Sequence, residues 1–264
     1  KQVINSSNIE SLTFRDLIKR NIKPLEFESI DHSNKELTGV SDFIENNENL
    51  VKYDAIIIDE GQDFTTEWAY CVKHFLKDQK ESTLYVFYDV CQNIYGRDFK
   101  DEFDIEIPPF TLVENLRNTS NIYKWAVSET GLGNDVKPNT IEGSSPDRYV
   151  FKNRQSARNR LERILRELVK KEGVNNRNVT IVSNTNIEDS IISGDDPLGN
   201  WEFNHTGDPI SSDEIRYRTI EEFKGLESDV VIYLNHGEKP EAEDLYVAYT
   251  RARFYLYEII IEKY

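Results

Sequence analysis

Methionine is absent from this chain of 264 residues, and cysteine occurs twice, as Cys71 and Cys91. Neither thiol lies in a CxxC pair or beside histidines at zinc-ligand spacing, which excludes a disulfide framework and a cysteine-built metal site. A reducing, cytoplasmic setting is therefore expected. The four histidines, His32, His74, His205 and His236, form no HxxxH or HExxH pattern and are read as ordinary core or surface residues. No apolar run approaches the ~18 residues of a membrane span, and the opening KQVINSSNIE has no apolar signal core. A soluble protein without a membrane partner is the expectation. Positive charge is short as well: 32 Lys and Arg stand against 48 Asp and Glu, a net charge of −16. Such a chain repels phosphate backbones at long range, so any contact with nucleic acid has to be local. Starting at Lys1 with no methionine anywhere, the sequence is expected to be a fragment or trimmed chain.

The length suits one large domain or two ordinary ones, and a hydrophobic fraction of 38% is enough for real cores. Residues 6–20 read as a capped helix and 31–50 as a polar surface helix and loop. A continuous apolar strand at 53–58, an amphipathic helix at 65–78 and a second strand at 83–89 make a βαβ unit, which requires a parallel sheet. EIPPF (106–110) breaks regular structure and marks a boundary. Beyond it the pattern predicts strands at 110–114, 178–183, 214–219, 229–234 and 254–261, with helices at 119–130, 155–171 and 241–252. The expected architecture is α/β, with parallel sheets flanked by helices in two domains, 1–108 and 109–264.

In YDAIIIDEGQDF (53–64) a buried run ends abruptly in acids and a glutamine. A parallel strand delivers the residues beyond its carboxyl end into the crevice where open α/β sheets bind ligands. A carboxylate there can hold Mg²⁺ through its water shell, and a second can orient and deprotonate an attacking water. The plain alternative is that acids end a strand and open a turn. YDVCQNIYG (88–96) repeats the arrangement, with Asp89 and Gln92 following an apolar strand. Farther on, LVENLRNTS (112–120) places Arg117 before a capped helix, RTIEEFKGLESDVVIY (218–233) places Lys224, Gly225 and Glu227 between two strands, and LYVAYTRAR (245–253) carries Arg251.

This ordered set resembles the UvrD/Rep family of superfamily 1 helicases and translocases. IIIDEGQDF is similar to the family's Walker B motif, DVCQNIY to motif III, LVENLRNT to motif IV, TIEEFKGLESDVV to motif V and YVAYTRAR to motif VI. SLTFRDL is a weaker match to the short motif that precedes Walker B. The resemblance implies two RecA-like domains of the P-loop NTPase class, the first of them partial here, that hydrolyse ATP with Mg²⁺ while acting on single-stranded or duplex DNA, or on RNA. It implies Asp59 as the Mg²⁺ carboxylate and Glu60 as the catalytic base, with Gln62 and Gln92 sensing the γ-phosphate. Arg117 and Arg251 would stabilise charge on the transferring phosphoryl group. Gly225 and Glu227 would lie at the nucleotide, and Tyr95, Thr219 and Lys224 would face nucleic acid. Surface ion pairing in an acid-rich chain is the plain alternative for the two arginines.

The departures are as informative. The family's glycine-rich P-loop, ending in Gly-Lys-Thr or Gly-Lys-Ser, does not occur; GLGND (131–135) lacks both the lysine and the strand-to-helix position. A preceding segment is expected to carry it, and the 264 residues alone are expected to be inactive. The alternative is a helicase-like binding module that has lost its P-loop. Arg97 stands where the family has a base-stacking aromatic, which leaves Tyr95 for stacking. Leu116 replaces the tyrosine that packs on adenine, so base preference is expected to relax. The interval between Arg117 and Thr219 leaves little room for an inserted domain, giving a compact core of a kind joined to, or associated with, a nuclease domain. The basic stretch 148–171 has two readings, a charged helix burying one apolar stripe or a nucleic-acid-facing patch.

Overall fold

A computed structural model describes residues 9–24, 26–28, 37–96, 103, 108–193, 197–209, 211–237 and 240–262. The chain divides into two compact units, Lys1–Pro109 and Phe110–Tyr264, one residue from the expected 108/109 boundary. Arg97 and residues 31–36 of the expected surface helix lie outside the described residues.

In the first unit α1 (Phe14–Asn21) starts at Thr13, whose hydroxyl accepts from the Asp16 amide while the Asp16 carboxylate returns the bond. That reciprocal cap satisfies two amides the first turn leaves open. A short α2 (Ser41–Glu45) follows, then β1 (Ala55–Ile58), α3 (Thr66–Lys73) and β2 (Thr83–Val86). β1 and β2 pair in parallel, Ile57 opposite Tyr85. Alternate side chains of a strand face opposite ways. Ile56, Ile58, Leu84, Val86 and Tyr88 turn toward a core containing Ile18, Ile44, Ala69, Val72 and Phe75. Phe14 stacks on Trp68 at 4.6 Å between ring centres. The opposite face of the pair carries Ala55, Ile57, Tyr85 and Phe87, with Ile57 67% and Tyr85 60% exposed. Sheets that face water alternate apolar with polar residues, and this one does not.

The second unit holds a six-stranded, all-parallel sheet in the order β3-β8-β7-β4-β6-β5, flanked by helices. Its strands are β3 (Asp147–Phe151), β4 (Val179–Ser183), β5 (Glu202–Asn204), β6 (Glu214–Thr219), β7 (Ser228–His236) and β8 (Ala252–Ile261). β4 is buried along its whole length, the signature of a central parallel strand. α4 (Ser120–Thr130) ends at Gly131, whose φ of +75° closes the helix in a left-handed cap. α5 (Arg154–Leu165) is capped by Asn153 and widens into a π-helical turn over Arg166–Lys171. A single-turn α6 (Ile220–Phe223) follows β6, and α7 (Ala242–Thr250) precedes β8.

One expectation needs correcting. Residues 110–114 form no strand: Phe110 and Leu112 are 92% and 76% exposed, and the segment's sheet-like contact is a single bridge from Glu114 to Lys137. β-forming side chains do not make a strand without a partner. β3 and β5, the two edge strands of the sheet, were not anticipated. The basic stretch 148–171 is largely committed to protein partners. Arg158 is buried and donates to the carbonyls of Ile191 and Ile192, Arg154 binds the carbonyls of Ser190 and Ser193, and Lys170 pairs with Asp213. Its helix is the charged, one-face-buried kind.

One ionic group lies deep in this unit. Glu258, 2% exposed, accepts from Arg148 Nε at 2.5 Å and from the Tyr249 hydroxyl at 2.8 Å. Arg148 also pairs with Glu129 at 2.7 Å and lies over the Trp125 ring. Burial and the Glu258 carboxylate push the Tyr249 phenol well above its ordinary pKa, so it stays a donor. Arg148→Leu strands this carboxylate. The expected cost is about 3 kcal/mol, seen as a lower urea midpoint for the second unit, and an unchanged midpoint contradicts the assignment.

Candidate nucleotide and nucleic-acid sites

The tips of β1 and β2 end on one rim because the strands run parallel, and the expected acids and glutamines meet there. Asp59 is exposed, and its Oδ1 accepts from the Glu60 amide at 3.1 Å. Glu60 adopts a left-handed backbone, φ +55° and ψ +47°, which costs a non-glycine residue of order 1 kcal/mol. The next residue cannot carry a side chain: a Cβ on Gly61 would meet Val86 Cγ1 at 2.4 Å, and its amide donates to the Phe87 carbonyl at 2.8 Å. Gln62 follows, fully buried. Its Nε2 donates to Glu60 Oε2 at 2.5 Å and its Oε1 accepts from the Asp89 amide at 3.0 Å. Asp89 in turn accepts from the Cys91 amide at 2.9 Å and from Gln92 Nε2 at 2.5 Å. Tyr95 lies three residues beyond Gln92 and is 47% exposed.

Among the described residues, no group of three or more His, Cys, Asp or Glu side chains is placed to hold a metal ion. Mg²⁺ needs no such cage: it keeps most of its waters and is held by one or two carboxylates together with substrate phosphates. Asp59, with one oxygen engaged by a backbone amide, suits that part and does not suit a stand-alone metal site.

In the second unit the expected residues separate onto the two rims of the sheet. The amino-terminal rim gathers Arg117, Gly225, Glu227 and Arg251. Arg117 Nε lies 3.2 Å from Glu227 Oε2, Arg253 Nε 3.5 Å from Glu227 Oε1, and Arg253 also reaches Asp229 at 3.0 Å. Gly225 has φ +76°, a glycine conformation that exposes its backbone. Arg251 is buried, donating to the Leu226 carbonyl at 3.2 Å. Lys224 is half-buried. An open cleft of about 350 Å³ next to this cluster is lined by Asp208, Arg216, Arg218, Gly225, Leu226 and Glu227.

Thr219 stands at the opposite, carboxyl-terminal rim. Its hydroxyl accepts from the Glu222 amide and the Glu222 carboxylate returns the bond, so the residue caps α6. It also lines a crevice of about 470 Å³ with Ser183, Asn184, Thr185, Asp189 and Asp244. His236, at the end of β7, accepts at Nε2 from the Ile191 amide and faces the Ser183 and Thr185 hydroxyls through Nδ1. That is the structural role expected of the histidines.

Asn118 is the residue that motif reading passed over. It is buried, and its Nδ2 donates to the Thr250 carbonyl at 2.8 Å and the Ala252 carbonyl at 2.6 Å, on either side of Arg251. The Thr119 amide adds a bond to the Arg253 carbonyl. Arg117 is thereby tied through its neighbour to the α7–β8 junction. The sequence signal was slight, an asparagine next to a helix cap. Asn118→Ala leaves two carbonyls short of a donor and is expected to cost about 1–3 kcal/mol, while Asn118→Asp should do no better because a carboxylate cannot donate to them. Urea unfolding of both variants checks this, and a wild-type midpoint for either contradicts it.

No family model matches the sequence, and no curated protein matches it. Solved structures similar to this chain include the C-terminal domain of a possible DNA helicase from Lactobacillus plantarum WCFS1, at 15% identity and TM-score 0.41, covering 56% of this chain and 88% of that one. The helicase nonstructural protein 10 of an arterivirus is similar at 13% identity and TM-score 0.42, over 77% of this chain and 38% of the viral one. The helicase of PRRSV is similar at 14% identity and TM-score 0.44, over 78% and 34%. The arterivirus helicase has also been solved in complex with DNA. This chain thus spans well under half the length of the viral helicases. Likeness at this level says nothing of residue roles, which rest on the geometry above. Among the described residues no helix is long and apolar enough to cross a membrane.

Proposed function

We propose that this chain is part of an ATP-dependent helicase or translocase of the UvrD/Rep type, acting on single-stranded or duplex nucleic acid. The observation that carries the reading is the rim of the first unit. A parallel strand ends in Asp59 and Glu60, with the Glu60 carboxylate gripped by a buried amide and its backbone held in a strained conformation. Strain of this kind persists where the surroundings over-determine it, commonly at working sites.

Asp59 would hold Mg²⁺ together with nucleotide phosphates, and the ion would neutralise charge on the β- and γ-oxygens. Glu60 would orient and deprotonate the attacking water. Arg117 would act on the phosphoryl group, with Glu227 turning from it toward the nucleotide, while Arg251, fully buried and bonded to the Leu226 carbonyl, would brace the loop that carries Glu227 rather than touch the phosphoryl group as expected. Tyr95 would stack on a base, and Thr219 and Lys224 would meet the nucleic-acid strand at its phosphates or sugars.

The uncovered face of β1 and β2 bears on the missing phosphate loop. A third parallel strand beside this pair would end on the same rim as Asp59, and the helix after it would bury Ile57, Tyr85 and Phe87. A strand, glycine-rich loop and helix supplied from outside these 264 residues would complete both the core and the site. The second reading, a binding module without catalysis, is motivated by the lack of a Gly-Lys-Thr or Gly-Lys-Ser loop in these 264 residues.

ATP turnover of the protein encoded by the complete reading frame separates the two. The motor reading expects turnover stimulated by single-stranded DNA or RNA, and a loss of about 100-fold or more for Glu60→Gln. No turnover leaves the binding-module reading, and turnover indifferent to Glu60→Gln contradicts Glu60 as the base. Comparing DNA with RNA as stimulant assigns the substrate.

A further inference from the structure

We infer that Gln62 is a positioning residue that locks the Glu60 carboxylate to the tip of the neighbouring strand, rather than a contact to the nucleotide. The inference rests on the reading of Glu60 as the base and deepens it.

Both ends of the Gln62 amide are already engaged. Its Nε2 donates to a carboxylate, which can only accept, and its Oε1 accepts from a backbone N–H, which can only donate. One amide orientation satisfies both partners, and the flipped one satisfies neither. The side chain is fully buried, so little of it faces a ligand. The bond from Asp89 to Oε1 polarises the amide and strengthens its donation toward Glu60. Asp89 is itself fixed by the Cys91 amide and Gln92. The path from β2 to Glu60 therefore runs from the Asp89 backbone amide through the Gln62 side chain to the Glu60 carboxylate without a gap.

The backbone leaves no slack for another arrangement. Gly61 is pressed against Val86 and bonded to Phe87, and Phe87 donates in turn to the Ile58 carbonyl at 2.8 Å. Glu60 and Gln62, on either side of Gly61, are thus held at the β2 tip. Among the described residues Gln62 bonds Glu60 at Oε2, and none bonds Oε1. With Oε2 taken by Gln62, that oxygen is the one left to receive a proton from water.

Amide hydrogen exchange in the 264-residue chain tests the lock without nucleotide. Gln62→Ala removes the acceptor, and the Asp89 amide should exchange about tenfold faster while the Phe87 amide, bonded within the sheet, keeps its rate. Gln62→Glu retains an acceptor for Asp89 and should keep its protection. An Asp89 rate unchanged in Gln62→Ala overturns the proposal. If Gln62→Ala fails to fold, Gln62→Glu decides: loss of Asp89 protection with Phe87 still protected overturns it.

Turnover in the protein encoded by the complete reading frame supplies the second readout. Gln62→Glu replaces the donor to Glu60 with a repelling carboxylate and should lower kcat about tenfold or more, with KM for Mg-ATP within about twofold. A loss confined to KM would make Gln62 a nucleotide contact and overturn the positioning role. Absence of turnover in the wild-type protein would overturn the motor reading instead, and the exchange rates would still report on the lock.

Discussion

Parallel strands end on a common rim, and in this protein two such strands are fastened at that rim by one buried amide. The bonds from Gln62 to Glu60 and from Asp89 to Gln62 convert two loops into a single rigid edge. Neither loop would hold its acids alone. β1 and β2 are four residues each, and a two-stranded sheet is marginal without a core behind it and links across it. The core supplies the first support through Ile58, Val72 and Phe75, and the amide supplies the second.

The second unit solves the same problem by another device. Its sheet is broad enough to be rigid, so residues are assigned to one rim or the other by where each strand begins and ends. β7 begins beside Glu227 and β6 ends at Thr219, and α6 with its loop carries the chain between rims. A stretch of nine residues, 219–227, therefore serves both edges. Asn118 then ties the segment that carries Arg117 to the α7–β8 junction by bonding the carbonyls that bracket Arg251. Positioning in both units falls to buried amides. A carboxamide can donate and accept at once, which suits a link between a backbone amide and a carboxylate, or between two loops.

Much of this was legible in the sequence. The apolar runs of β4 and β7 were plain because buried parallel strands need them, while β1 and β2 carry such runs with one face exposed, and the side-chain caps at Thr13, Thr65, Asn153 and Thr219 came only with the structure. The acids after β1 and the arginine-bearing motifs were visible in order. The features that stayed hidden depended on pairing across long intervals. β5 is three residues long and β3 is an edge strand with largely exposed side chains, and only their neighbours β6 and β8 make them strands. Residues 110–114 have strand-forming side chains and no strand to join. Gln62 read as a ligand contact because the sequence does not show that the Asp89 amide lies 3.0 Å from its oxygen.

The central claim is that the β1 and β2 tips together hold a metal–nucleotide complex. Mn²⁺ with ATP, titrated into the protein encoded by the complete reading frame, tests it by paramagnetic broadening of backbone amide signals. The account predicts early, selective loss of signal at Asp59–Gln62 and Asp89–Gln92, with Ala55 and Thr83 at the far ends of the same strands still sharp. Broadening that is uniform along both strands, or that spares the tips, would contradict it.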